Sequence, residues 1–396
     1  MPMKLLFAVA VAAMLTGGAF GQTLKIGLSG PFTGRSESMG VAMRQGAMLA
    51  VSDINQAGGV LGMPIVLVER DDQSNVERGV QIAQELIGVE HVVATVGFVD
   101  TDVALASRRF YEAAEIPVMN AVASGTQITR QFPPPEYKAN YIFRMSANDA
   151  VQATMIVREA IRRGFKSPAI LADGTDGDQA GHEELLKALE AVHVTPAADL
   201  TFNIGDTDMT TQLSRVRRAT ADVILTYGMA PELAAIANSM GQLGWKLPVL
   251  GNGVLATSAF IEDARSNGDG SSMPQTFIQT GTTAKRAVFI AEYWRTFRIG
   301  RIPAPECAAQ AYDSVYLLKA AIEQANSTEG RKIREALENL RTKVEGVVTT
   351  YDRPFSPTDH EAIDANVPLF GVVRYRHVVE AHEDEVIGAH AVRVKR

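Results

Sequence analysis

With 396 residues, 38 Lys and Arg against 45 Asp and Glu, and a net charge of −7, the chain is acidic and has no long basic cluster, which excludes nucleic acid as a partner. Its single cysteine, Cys307, excludes an intrachain disulfide, so stability must come from a buried core. A chain of this length can build one, and favours two lobes of ordinary size.

The opening "MPMKLLFAVAVAAMLTGGAFGQ" places Lys4 before an apolar run from Leu5 to Leu15, then small residues at Ala19 and Gly21. That is the layout of a cleavable secretory signal peptide, and the run is too short to span a bilayer. Residues 1–21 are therefore set aside, and a mature chain beginning near Gln22 is expected in a bacterial periplasm. Without a cysteine after the small residues, a lipid anchor is not expected.

Strand-like runs then alternate with helical periodicity. "LKIGLSG" (24–30), "PIVLVERDD" (64–72), "VVATVG" (92–97) and "PVMNAV" (117–122) read as strands. Between them Ala42, Gly46, Leu49, Ala50 and Ile54 share a helix face, which Gly58 and Gly59 stop, while Ile82, Leu86 and Ile87, then Val103, Ala106 and Phe110, mark two more helices. "RQFPPPEYKANY" interrupts the pattern at Pro133 to Pro135. A second set follows, with strands at 167–173, 197–202, 222–228 and 247–253 and helices around 148–163, 178–191, 208–218 and 231–243. "ARSNGDGSSMPQ" (264–275) reads as a Gly and Ser break, and Ala311, Val315, Leu318, Ile322 and Ala325 form a core-facing stripe. Strands separated by helices imply crossover units and mostly parallel sheets, and the repetition implies two α/β lobes.

Motifs for chemistry are few. "GNGVLA" (251–256) has the glycine spacing of a dinucleotide turn but sits late and lacks the acidic residue after a following strand. "DGTDGDQAG" (173–181) is not a calcium loop: counted from Asp176 the required Glu is Lys187, and counted from Asp173 the required Gly is Asp178. There is no GxSxG, no HExxH and no closely spaced histidine set, so neither metal, cofactor nor catalysis is expected. Cys307 reads as part of a helix core stripe.

What remains is the loops after the strands. In open parallel sheets ligands bind outside the strand carboxyl ends, where helix N-termini present N–H groups and a partial positive charge. "GFVDTDVALA" puts Thr101 at a helix start, and "AVASGT" puts Ala123, Ser124 and Gly125 after the next strand. Small residues there leave backbone bare for a ligand carboxylate, with a hydroxyl as added donor.

"LKIGLSGPFTG", "GVAMRQGAMLAVSDINQAGGVLGMPIVLVERDDQSN", "VVATVGFVDTDVALA", "IPVMNAVASGTQIT", "YIFRMSANDAVQA" and "AAQAYDSVYLLKAAIEQA" together resemble the leucine-isoleucine-valine-binding family, the type I periplasmic solute-binding proteins of ABC importers. The resemblance runs from about residue 24 to at least residue 375, and "INQAGGVLG" is its most specific part. It implies two Rossmann-like lobes, 22–143 with 279–349 and 144–278 with 350–396, joined by three crossings near 143–146, 276–280 and 347–351 and closing on a ligand. It also implies a monomer that captures a small carboxylate or amino-acid ligand for membrane permease subunits.

The family's hydroxyl falls on Thr101 and its carboxylate-binding segment on Ala123 and Ser124. Amino-acid binders in the family meet the ammonium with an acidic residue on the second lobe, where this chain has Asn252; Asp102, Asp173 or Asp176 could substitute. Aromatic positions of the family read Gly177, Met229 and Ala230 here, with Tyr227 just before, so Tyr227, Met229 and Asn252 are expected to shape the second side. The ligand class stays open between neutral amino acids and acids lacking the amine. A sensor module for a signalling partner and a secreted enzyme are the alternatives.

Overall fold

The computed structural model describes residues 22–130, 139–174, 176–280 and 282–382. The expected signal peptide and Pro133 to Pro135 lie outside them.

The first strand, β1 (Leu24–Gly30), leads into α1 (Glu37–Gln56), whose buried face carries Ala42, Met43, Gly46, Leu49, Ala50 and Ile54. Its end shows why "INQAGG" reads as a stop. Gly59 adopts φ +79° and its N–H donates to the Ile54 carbonyl at 2.9 Å, a left-handed terminus that L side chains resist. Asn55 then clips the next strand to the helix: its Oδ1 accepts from Ile65 N–H at 2.8 Å and its Nδ2 donates to the Ile65 carbonyl at 2.9 Å.

Further on come β2 (Ile65–Asp71), α2 (Val76–Gly88), β3 (Ala94–Gly97), α3 (Thr101–Ala113), β4 (Val118–Asn120) and β5 (Ile142–Arg144). The five strands form a parallel sheet in the order β2-β1-β3-β4-β5. The chain then builds α4 (Asp149–Arg162), β6 (Pro168–Asp173), α5 (Asp176–Glu190), β7 (Ala198–Phe202), α6 (Thr210–Arg218), β8 (Val223–Thr226), α7 (Ala230–Gln242), β9 (Val249–Gly251), α8 (Ser258–Ala264) and β10 (Ser272–Gln275). It returns through α9 (Ala284–Phe297), α10 (Pro305–Ala325), α11 (Gly330–Glu338), β11 (Val344–Glu345) and β12 (Thr350–Tyr351), and ends in β13 (Leu369–Arg374) and β14 (His377–Glu380).

The second sheet runs β14-β13-β10-β9-β8-β6-β7. Without its two antiparallel edge strands it repeats the order of the first, so each sheet has one point where strand order reverses, β1/β3 and β6/β8. The chain passes between the two bodies after β5, after β10 and after β12, because α4 packs with the second sheet while α10 packs on α1. That helix contact is close: a Cβ on Gly46 would stand 2.0 Å from the Ala308 carbonyl oxygen.

The third passage is clamped by buried charge. Asp313 on α10 accepts from Val347 N–H at 2.6 Å, Val348 N–H at 2.8 Å and the Tyr351 hydroxyl at 3.0 Å, while Arg286 on α9 donates to the carbonyls of the same two valines. Burial pushes the Asp313 carboxyl up to about 6 despite those donors, and lowers Arg286.

The α/β alternation, the two sets and the mostly parallel sheets follow the sequence pattern. The observed strands β4, β8 and β9 end before the apolar runs do, because those runs continue into the loops at the strand carboxyl ends, while β3 starts two residues later than its run. The Gly and Ser break at 264–275 contains β10, with Pro274 in a strand sandwiched between β9 and β13. Its missing N–H removes one ladder bond.

Candidate ligand-binding site

A cavity of ≈ 200 Å³ lies between the two bodies, walled by loops at the carboxyl ends of both sheets. That is smaller than the roughly 300–1,000 Å³ usual for drug-sized ligands, so the site suits a small molecule. Its apolar wall is aliphatic, with Val76, Val103, Ile204, Met229 and Val254; among the described lining residues none is aromatic.

On the first body the α3 N-terminus faces the cavity through Val99 to Val103. Asp100 is the N-cap, yet its side chain caps no N–H of this helix and accepts instead from Ser36 Oγ at 2.7 Å. The first-turn N–H groups thus keep their capacity to bind an anion. Thr101 Oγ1 accepts from Gly125 N–H at 3.2 Å, which leaves the hydroxyl proton to be donated elsewhere. A Cβ on Gly125 would lie 2.3 Å from Thr101 Cγ2, so glycine is what lets that side chain rest on the loop.

The "AVASG" loop is held from behind by Arg144. This fully buried guanidinium donates to the Ala123 carbonyl at 3.1 Å and the Gly125 carbonyl at 2.8 Å, and pairs with Glu361 at 3.0 Å. With both flanking carbonyls drawn inward, Ser124 is left on the cavity wall. Its carbonyl accepts from Asp149 N–H at 2.9 Å, and burial raises the pKa of the Asp149 carboxyl behind the loop.

The structure brings Thr101, Asp102, Ser124, Met229 and Asn252 to the one cavity. Ala123 and Gly125 support the loop from behind it: Ala123 is buried, its carbonyl also taking the Asn120 amide and the Ser146 hydroxyl. Tyr227 departs from the expectation that it shapes the ligand side. It is buried in the core beneath α5, where a Cβ on Gly181 would lie 2.2 Å from its ring, and its hydroxyl donates to the Asp149 carbonyl at 3.4 Å. Gly177 falls in the first turn of α5, and its surroundings are outside the described residues. Asp173 is fully buried at the end of β6 and lies 3.6 Å from the Arg35 guanidinium, while Asp176 begins α5.

Sequence reasoning did not single out three residues. Arg35, in the loop after β1, reaches across to Glu232 on α7 at 3.2 Å and ties the bodies together at the cleft. Arg144 is the second. The third is Glu306 in the first turn of α10: its Oε2 accepts from Thr276 N–H at 3.1 Å and Thr276 Oγ1 at 3.3 Å, and burial pushes its carboxyl up to about 7. Cys307 beside it is buried in the core as expected, and also reaches the cavity wall.

Two doubly wound bodies that enclose a small polar chamber between their strand ends define a bilobed binding protein. The chain belongs to the periplasmic binding protein family, whose profile matches residues 23–372. It is 26% identical over 339 residues to the leucine-, isoleucine-, valine-, threonine-, and alanine-binding protein of Pseudomonas aeruginosa, covering 84% of this chain and 87% of that one. Among solved structures it resembles the branched-chain amino acid transporter substrate binding protein LivJ of Streptococcus pneumoniae in complex with isoleucine, with a TM-score of 0.78, 23% identity and coverage of 90% and 98%. An ABC transporter solute binding protein of R. palustris in complex with 4-hydroxybenzoate matches with a TM-score of 0.77, 19% identity and coverage of 91% and 95%. These likenesses to solved structures concern the fold.

Proposed function

We propose that this chain is the extracytoplasmic solute-binding protein of an ABC importer, capturing a small carboxylate-bearing ligand and presenting it to membrane permease subunits. The observation that carries the reading is the cavity at the strand ends of both sheets, where Thr101 and Ser124 accompany an uncapped helix N-terminus. The carboxylate sits against Thr101, Ser124 and the α3 N–H groups, while Met229 and Asn252 meet the rest of the ligand from the other body. A wall that is aliphatic, with no aromatic ring among the described lining residues, favours an aliphatic ligand over an aromatic acid. Relatives named for leucine, isoleucine and valine support the same choice.

Capture works by closure: residues 22–143 with 279–349 rotate against 144–278 with 350–396, and desolvation around a few aimed donors supplies affinity without any bond being broken. Residues 1–21 serve as the secretion signal, which places the mature chain in the periplasm.

A thermal-shift screen across neutral amino acids and the matched acids lacking the amine tests this reading. A true ligand at 100 times its dissociation constant adds about 2.7 kcal/mol of stability. No shift with any member of the panel, or catalytic turnover of one, would reject the proposal.

A further inference from the structure

Arg35 stands in the loop between β1 and α1, and the residues around it pin that loop to the first body. Phe32 N–H donates to Asp71 Oδ1 at 2.8 Å, Thr33 Oγ1 donates to Asp71 Oδ2 at 2.6 Å, and Ser36 Oγ donates to Asp100. From this fixed base the guanidinium crosses the cleft, with its side chain 25% exposed.

It meets two carboxylates of the second body. Glu232, in the first turn of α7, lies 3.2 Å away and is 1% exposed; Asp173, at the end of β6, lies 3.6 Å away and is fully buried. Glu232 is itself held in place: its Oε1 accepts from Gly205 N–H at 2.8 Å, and Oε2 is the oxygen that takes the Arg35 guanidinium. The run "DGTDGDQAG", which does not fit a calcium loop, thus opens on an acid that faces a cation of the opposite body.

Closing the cleft takes one cation and two carboxylates largely out of water, and their mutual attraction offsets that cost only while the bodies stay together. Opening separates Arg35 from both acids, because neither shares a body with it. Burial raises the pKa of the Asp100 carboxyl on the first body, and the Arg35 charge opposes that rise. The guanidinium therefore keeps an acidic neighbour on its own side when the cleft opens, whereas Glu232 and Asp173 gain water.

We infer that Arg35, with Glu232 and Asp173, forms a latch across the cleft that sets the balance between open and closed states, so that these residues govern affinity through closure rather than through contact with the ligand. The affinity effect rests on the proposed function; the latch itself is measured without a ligand. Arg35 is in these terms a positioning residue.

The test is small-angle X-ray scattering of the purified chain without ligand, at low salt and at about 1 M sodium chloride, where the screening length falls to about 3 Å. A compact particle at low salt that expands at high salt is the expected result. Arg35→Gln strands both buried carboxylates, so it should expand the particle already at low salt. It should also weaken, by about tenfold, whichever members of the panel of neutral amino acids and matched acids the unaltered chain binds. Adding Glu232→Gln removes one stranded charge while its amide oxygen still accepts from Gly205 N–H, and should recover part of both the compactness and the affinity.

Scattering that neither salt nor Arg35→Gln alters, or a double variant as expanded as the single one, would overturn the latch and leave the carrier reading intact. An affinity loss that Glu232→Gln does not recover would also overturn it, since that is the result of a direct contact between Arg35 and the ligand. A panel with no bound member would reject the carrier reading, and the scattering would still decide the latch.

Discussion

Replacing Arg144 by Met removes a side chain with no exposed surface that holds the binding loop in place. The methionine fills similar space but leaves the Gly125 carbonyl without its donor at 2.8 Å and Glu361 without the cation at 3.0 Å, and takes from the Ala123 carbonyl the donor at 3.1 Å, leaving it Asn120 and Ser146. Hydrogen bonds to charged groups are worth about 1.5–3 kcal/mol each, and breaking a buried ion pair by removing one partner costs about 3–5 kcal/mol. These counts overlap, because the penalty already includes the stranded groups, so a total loss of about 3–5 kcal/mol is expected. Equilibrium unfolding in urea measures it as a shift in midpoint at unchanged slope. Replacing Glu361 by Leu in the same chain removes the stranded charge and should recover part of the loss. A single-variant loss below about 1 kcal/mol, or a double variant no more stable than the single, would refute the reasoning.

Three further outcomes are expected. Ser124→Ala removes a cavity hydroxyl and should weaken binding of any carboxylate ligand by at least about tenfold in calorimetry, with the fold intact. Gly46→Ala places a methyl 2.0 Å from the Ala308 carbonyl, forcing α1 from α10 at a cost of about 1–3 kcal/mol in chemical unfolding. Stability should also fall as pH rises. Burial pushes Asp72, Glu112 and Glu306 up to about 7 and Asp313 to about 6, so the folded chain holds protons that the unfolded chain has released above its own pKa near 4. Their stabilisation is complete below about pH 4 and is lost as pH rises to about 7. Asp71 and Glu159, whose pKa values are lowered, oppose this only at more acidic pH. A melting temperature of the unliganded protein that is higher near pH 5.5 than near pH 7.5 is expected, and the reverse order would contradict the account.

The parts legible in the sequence are those with a local cause. The glycine stop after α1 is legible because a positive φ selects glycine, and the alternation of strand and helix because burial imposes a period. Thr101 and Ser124 were found from their place after apolar runs, since strand ends in parallel sheets converge on one crevice. Tyr227 shows the limit: it follows β8 by one residue, and one step along a strand decides whether a side chain faces the cleft or the core. The edge strands β13 and β14 and helix α11 lie beyond the regular alternation and have no repeated pattern to mark them.

Arg144 and Glu306 were invisible for a different reason. Each stands among residues that read as strand end or core helix, and the groups each meets are distant in sequence: Arg144 is 217 positions from Glu361 and Glu306 is 30 from Thr276. Their roles exist only once the fold brings a crossing segment against them. The Asn252 position was recognised as unusual from the sequence, but the acid expected to compensate was sought on neighbouring loops. Glu306, beside the neighbouring Gly253, stands on α10, in the opposite body.

The most direct measurement is a crystal structure of the mature chain with the tightest ligand from the screen. The account predicts a closed cleft, with the ligand carboxylate within hydrogen-bonding distance of Thr101, Ser124 and the α3 N–H groups, and the rest of the ligand against Met229 and Asn252. A ligand bound outside this cavity, or one whose carboxylate turns away from Thr101 and Ser124, would contradict it.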